Sequence, residues 1–148
     1  NLSKIYLQGE YRNLSRNKKW DITAQGQLWL AGYNSGDYRA YASLQRVLSS
    51  KLGSLQAGFE NINRSPGFVF DNRSSFYVAA PQNFGKENWT RFFGHITNPA
   101  LRLRLGAEYA LVTNYLYFTG WKDPRQESTA FTLLRITGSK VFRLARRF

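Results

Sequence analysis

The sequence predicts an all-β protein, an antiparallel up-and-down transmembrane β-barrel with about eight strands visible in this chain, and three observations predict it. First, residues 101–111 alternate with period two: Leu101, Leu103, Leu105, Ala107, Tyr109 and Leu111 on one side, Arg102, Arg104, Gly106, Glu108 and Ala110 on the other. A helix would scatter those arginines around the apolar stripe, whereas a strand gathers them on one face. Second, the run is 11 residues long. A tilted strand needs roughly 9–11 residues to cross a bilayer, while a soluble strand is nearer ~5–6. Third, large amphipathic rings fall near predicted strand ends, at Trp20, Tyr33, Tyr38, Trp89, Tyr109, Tyr115 and Tyr117. An aromatic girdle at the two membrane interfaces would use such rings.

The elements follow in order. Residues 4–12 alternate, with Ile5, Leu7, Gly9 and Tyr11 opposing Tyr6, Gln8 and Glu10. Residues 13–19 are polar and read as a turn. Residues 20–33 form a second long strand, with Trp20, Ile22, Ala24, Gly26, Leu28 and Leu30 against Asp21, Thr23, Gln25, Gln27 and Trp29. Asn34-Ser-Gly-Asp37 is a hairpin signal. Strands at 38–48 and 54–60 follow, joined by the turn at 49–53. Residues 61–86 break the rhythm with Pro66, Gly67, Pro81 and Gly85, so a long loop is expected there, external or constricting the lumen. Strands resume at 87–97 and 101–111, the latter running on toward Phe118, around a turn at Asn98-Pro99-Ala100. After a loop at 120–126, residues 128–137, a Gly138-Ser139 turn and residues 140–148 complete the set as a hairpin. Short turns then sort to one rim and the long connections to the other, as in outer-membrane barrels, except that the short Asn34–Asp37 turn falls on the long-connection side.

The bulk numbers agree with one domain over residues 1–148, or with part of a larger barrel. The net charge is +12, which narrows the partners to anionic ones: nucleic acid, acidic lipid headgroups, or anionic solutes in a pore. Cysteine is absent, which removes disulfides and thiolate metal sites. The mean hydropathy of -0.47 does not exclude a membrane, because a barrel averages lipid-facing and lumen-facing residues. No apolar run long enough for a transmembrane helix occurs. Asn1 brings no initiator methionine or signal peptide, so a processed chain or a piece of a longer one is expected.

Candidate functional residues come from the polar face. Arg39, Arg91, Arg102, Arg104, Glu108 and Arg135 share the face assigned inward and are the expected pore lining. An arginine toward lipid near the midplane would cost roughly 2–4 kcal/mol, which favours inward placement. Two readings follow: a positive lumen that attracts anions, or a ladder in which the arginines pair with Glu10, Asp21, Glu60 and Glu108 to fill a narrow interior. His95, the single histidine, with Thr97 and Glu108 nearby, raises an enzymatic alternative, an eight-stranded lipid-modifying hydrolase. A hydrogen-bonded structural histidine is the commoner use. A metal site lacks cysteine and a second histidine, so neither metal nor cofactor is expected. The second alternative is a soluble basic β-barrel binding nucleic acid, and the dispersal of its basic and aromatic residues over many strand faces argues against it. The Asn-x-Ser/Thr triplets at Asn1, Asn13, Asn63, Asn72 and Asn88 imply no glycosylation in a bacterial outer-membrane protein. Phe148, with Phe142 and Leu144 at the same parity and Arg146 interrupting them, resembles the terminal strand read by barrel-assembly machinery.

Asn114-Tyr-Leu-Tyr-Phe118 followed by Pro124-Arg-Gln126, with Ser65-Pro-Gly-Phe-Val-Phe70 and Asn88-Trp-Thr-Arg91 upstream, resembles the Putative porin family of Bacteroidetes outer membranes over residues 60–148. The resemblance implies a passive channel with no catalytic residues, and a barrel longer than this chain. The expected function is therefore passage of small, preferentially anionic solutes across a bacterial outer membrane. Expected partners are outer-membrane lipid and lipopolysaccharide, the solutes, and barrel-completing segments or an oligomer, with no nucleic acid.

Overall fold

The computed structural model describes residues 3–71 and 83–142. Seven strands form one antiparallel sheet: β1 (Lys4–Leu14), β2 (Trp20–Gly32), β3 (Tyr38–Ser49), β4 (Gly53–Arg64), β5 (Glu87–Asn98), β6 (Leu103–Thr113) and β9 (Phe131–Lys140), in that spatial order. Between β6 and β9 the chain makes a separate two-stranded ribbon, β7 (Tyr115–Phe118) and β8 (Pro124–Glu127). A 3-10 turn, Phe68–Phe70, lies in the described part of the connection between β4 and β5. The sheet strands run from 10 to 13 residues, the length expected of tilted membrane-crossing strands. No helix is long and apolar enough to cross a membrane, which says nothing of crossing by strands.

From β1 to β6 each strand pairs with the next in sequence, and β9 adds to β6 after the ribbon, so the up-and-down order follows the chain. The three short turns, at 15–19, 50–52 and 99–102, lie at one rim, because Asp21 pairs with Gln45, Ser54 with Thr97 and Thr97 with Arg104. The other rim holds the long β4–β5 and β6–β9 connections together with the turn at 33–37, which is as short as the one at 15–19. Gly53 shows how tight the short-turn rim is. Its φ of 86° is open to glycine without strain, and a Cβ there would stand 2.8 Å from the Pro99 ring.

Because opposed residues in an antiparallel ladder share a face, the register separates two surfaces. One carries Ile22, Leu28, Leu44, Leu55, Phe92, Ile96, Leu105, Tyr109 and Ile136; the other carries Gln25, Tyr41, Ser43, Gly58, Glu60, Arg91, His95, Gly106 and Glu108. Burial is inverted relative to a water-soluble sheet, which hides its apolar face. On the apolar face Phe92 is 51% exposed and Ile96 48%, while on the polar face Glu60 is 5% exposed. Among the described residues the buried apolar side chains reduce to Ala110, Val112, Leu116 and Pro124.

Several boundaries differ from the sequence reading, each for a local reason. β4 extends to Arg64, four residues into the expected 61–86 loop, because Asn61–Arg64 continue pairing with Thr90–Glu87. The Asn61 side chain also donates to the Thr90 hydroxyl at 2.7 Å. Leu101 and Arg102 belong to the turn, Arg102 with φ 49°, so β6 starts at Leu103. Its run toward Phe118 breaks at Asn114, whose φ of 56° is a left-handed conformation that asparagine tolerates. The chain then leaves the sheet as β7, and the expected 120–126 loop contains the start of β8. Gly138 and Ser139 form no turn. They pair with Leu105 and Arg104 as part of β9. Of the expected strand at 140–148, Lys140 ends β9 and Val141 and Phe142 lie in no strand, while residues 143–148, with the features at Leu144, Arg146 and Phe148, lie outside the described residues, as do Asn1, Asn72 and Pro81.

Candidate pore-lining face

The polar face is built around Glu60 on β4. Its Oε1 accepts from Arg39 Nε on β3 at 2.7 Å, and its Oε2 accepts from Arg91 Nη2 on β5 at 2.6 Å. Arg91 also stands 3.6 Å from Glu108 on β6, and Arg135 on β9 stands 3.9 Å from that same carboxylate. The result is a ladder across five strands with alternating charge: Arg39, Glu60, Arg91, Glu108, Arg135. At a crowded face, alternation is the arrangement that keeps each charge near an opposite one while it loses water. Arg104 lies on the same face, two rows nearer the short-turn rim than Glu108, and has no ion pair among the described residues. Arg102 shares its parity but sits in the turn, apart from the ladder.

Small residues let the ladder's neighbours lie flat. A Cβ on Gly58 would stand 2.7 Å from the edge of Phe93 and 2.8 Å from the Ala42 carbonyl oxygen. That vacancy lets the Phe93 ring cross β4 and stack on Tyr41, centroids 5.9 Å apart. Gly106 does the same for His95, whose Cδ2 would be 2.6 Å from the added carbon. The imidazole therefore covers Gly106. Its Nε2 is 4.0 Å from Glu108 Oε1, beyond hydrogen-bond reach, and its Nδ1 is buried without a partner. No hydrogen bond joins Thr97 to the imidazole, so hydroxyl, ring and carboxylate do not assemble as the hydrolase alternative requires. Among the described residues no acid and histidine cluster could hold a metal ion.

The aromatic residues expected at strand ends distribute less simply. Trp20 and Tyr38 do lie at strand ends on the apolar face, and Trp20 carries the Arg46 guanidinium 4.8 Å above its ring. Tyr109 is on the apolar face too, but at mid-strand opposite Phe92. Trp89 is placed differently from the expected girdle: it lies on the polar face, in the row of Ile62 and Val112, with Arg64 5.9 Å over its ring. Its parity with Arg91 was the available signal. Tyr33 donates to the Pro66 carbonyl, and Tyr115 and Tyr117 belong to the ribbon, where Tyr115 packs on Trp89 and Phe131.

The long-connection rim holds a second cluster that the sequence did not reveal. Asp37, 3% exposed, accepts from the Ser65 N–H and hydroxyl, from Lys86 Nζ and from Asn34. Burial pushes its carboxyl up, but the Lys86, Ser65 and Asn34 hydrogen bonds outweigh that and hold it below the ordinary range. Both ends of the β4–β5 connection are thus tied to one carboxylate. Beside it, the Gln126 amide accepts from the Gly85 N–H and donates to the Gly85 and Asn114 carbonyls, clamping the ribbon to the returning chain.

Neither a curated protein nor a solved structure matches the chain. The profile of the family described as Putative porin matches residues 1–148, the whole chain. An antiparallel up-and-down sheet with an exposed apolar face is what that match leads one to expect, and the chain belongs to the Putative porin family.

Proposed function

We propose that the protein is a porin-like channel of the bacterial outer membrane, passing small solutes passively with a mild preference for anions. The observation that carries this reading is the inverted burial: aliphatic and aromatic side chains line the exposed face, while charged and small ones crowd the other. Lipid is the solvent in which that arrangement is stable. The polar face is then the lumen, with Arg39, Arg91, Arg104, Glu108 and Arg135 along its wall. The ladder moderates the anion preference, because Glu60 and Glu108 offset two of the four arginine charges. Arg104 and Arg135 supply the surplus, the latter with 66% of its side chain exposed. Among the described residues β1 and β9 are the edges of the sheet, and an edge is where further strands, of this chain or of additional segments or copies, can pair to complete a wall.

The test is conductance in planar bilayers, with heat-modifiable gel mobility confirming a folded barrel in detergent. In a salt gradient the reversal potential should show anions modestly favoured, and Arg104→Gln with Arg135→Gln should abolish that preference while leaving a channel. A folded barrel without conductance refutes the channel. An unchanged reversal potential in the variant refutes the role of the arginines.

A further inference from the structure

The +12 charge is not spread evenly. At the long-connection rim the cations Arg64 and Lys86 are paired with Glu87 and Asp37, and Asp71, Asp123 and Glu127 add further acid. The short-turn rim is different. Arg16, Lys18 and Lys19 occupy its first turn, Lys51 the second and Arg102 the third, all exposed and none in an ion pair among the described residues. Arg46 and Lys140 add two more cations at strand ends, on the apolar face itself. Each lies against an aromatic ring: Arg46 over Trp20 and Lys140 Nζ 5.2 Å from the Phe142 centroid. The one acid at this rim, Asp21, is bonded to Arg12.

Just inside this rim the apolar face carries a furrow. Gly94 and Ala107 form its floor, while Leu55, Ile96, Leu105 and Ile136 form its walls, in an open hollow of ≈ 390 Å³. Lys140 stands on the same face two residues rimward of Gly138, which is level with Leu105 and Ile96. A cation belt beside a groove walled by aliphatic side chains matches a molecule with an anionic head and a hydrocarbon tail.

We infer that the short-turn rim binds anionic phospholipid, with headgroups attracted along the belt of Lys18, Lys19, Lys51 and Lys140 and an acyl chain of the lipid beside Lys140 lying in the furrow of Ile96, Leu105 and Ile136. This rests on the membrane-barrel reading and adds to it a lipid preference located at the short-turn rim. Exposed lysines attract an anionic surface through charge, so each cation contributes roughly fivefold in affinity at low salt, and added salt weakens the effect.

The test titrates phosphatidylglycerol or phosphatidylcholine into protein folded in a zwitterionic detergent and reads lipid retention by native mass spectrometry. Phosphatidylglycerol should be retained at least tenfold better. The variant K18Q/K19Q/K51Q/K140Q should lose that preference, whereas K4Q/R125Q, at the opposite rim, should keep it. Ala107→Leu, which fills the furrow, should lower retention of both lipids without changing their ratio. Equal retention of the two lipids by the unaltered protein, or equal loss in both charge variants, overturns the inference while leaving the channel intact. A chain that is folded and monodisperse without detergent overturns the membrane reading and this inference together.

Discussion

Glu60→Gln is the substitution with the most to reveal, because one carboxylate joins three strands. The change keeps side-chain volume and one acceptor, but removes the charge that Arg39 and Arg91 address at 2.7 and 2.6 Å. Removing one partner of a buried ion pair costs about 3–5 kcal/mol. Here the two arginine side chains remain 45% and 37% exposed, so water recovers part of the loss. The expected destabilisation is therefore about 2 kcal/mol. Arg39→Gln alone should cost less, about 1 kcal/mol, since Glu60 keeps Arg91. The double variant should fall short of additivity by at least ~0.5 kcal/mol, as residues in one network do. Urea unfolding of the protein in lipid vesicles reads all three values. The same variants shift the channel in opposite directions: Glu60→Gln should raise the anion preference and Arg39→Gln should lower it. Additive stabilities, or a Glu60→Gln effect below ~0.5 kcal/mol, would refute the ladder as a coupled network.

Other expectations follow from single positions. Gly58→Ala should destabilise by about 1–3 kcal/mol, because the new methyl meets Phe93 and the Ala42 carbonyl; Gly9→Ala, which meets nothing within 4 Å, should be near neutral in the same urea titration. Ala42→Arg, on the apolar face, should cost about 2–4 kcal/mol in vesicles, and Gln25→Arg, opposite Glu10 on the polar face, much less. The Asp37 carboxyl is held below its ordinary 3.8. Its contribution is thus fully present above that value and is lost as pH falls through its folded-state pKa. Hydrogen exchange at the Ser65 amide should accelerate over that acid range relative to neighbouring protected amides, and Asp37→Asn should remove the pH step.

The sequence made both sheet faces legible, because period-two alternation survives wherever strands pair without interruption. Arg39, Arg91, Arg104, Glu108 and Arg135 could be grouped by parity alone, and the register places Arg39, Arg91, Glu108 and Arg135 in neighbouring rows with Arg104 two rows further toward the short-turn rim. What parity could not show was distance along the strands, so Arg102 was grouped with a wall it does not join. Asn114 hid a break in an otherwise continuous strand, since a left-handed asparagine leaves no mark on hydrophobic alternation. Gly138-Ser139 looked like a turn because glycine and serine favour turns, yet opposite Leu105 and Arg104 the sheet simply continues. The Asp37 cluster depends on partners 28 and 49 residues away, beyond the reach of local pattern.

The central claim is that the apolar face meets lipid and the polar face meets water. The chain has no cysteine, so single cysteines can report each position without background. The decisive measurement places one at each of Ile22, Thr23, Ala24, Gln25 and Gly26 along β2, attaches an environment-sensitive fluorophore, and measures quenching by brominated lipid against quenching by aqueous iodide in vesicles. The account predicts strict alternation, with positions 22, 24 and 26 quenched by lipid and 23 and 25 by iodide. Iodide quenching at all five positions, or alternation with the opposite phase, would contradict it.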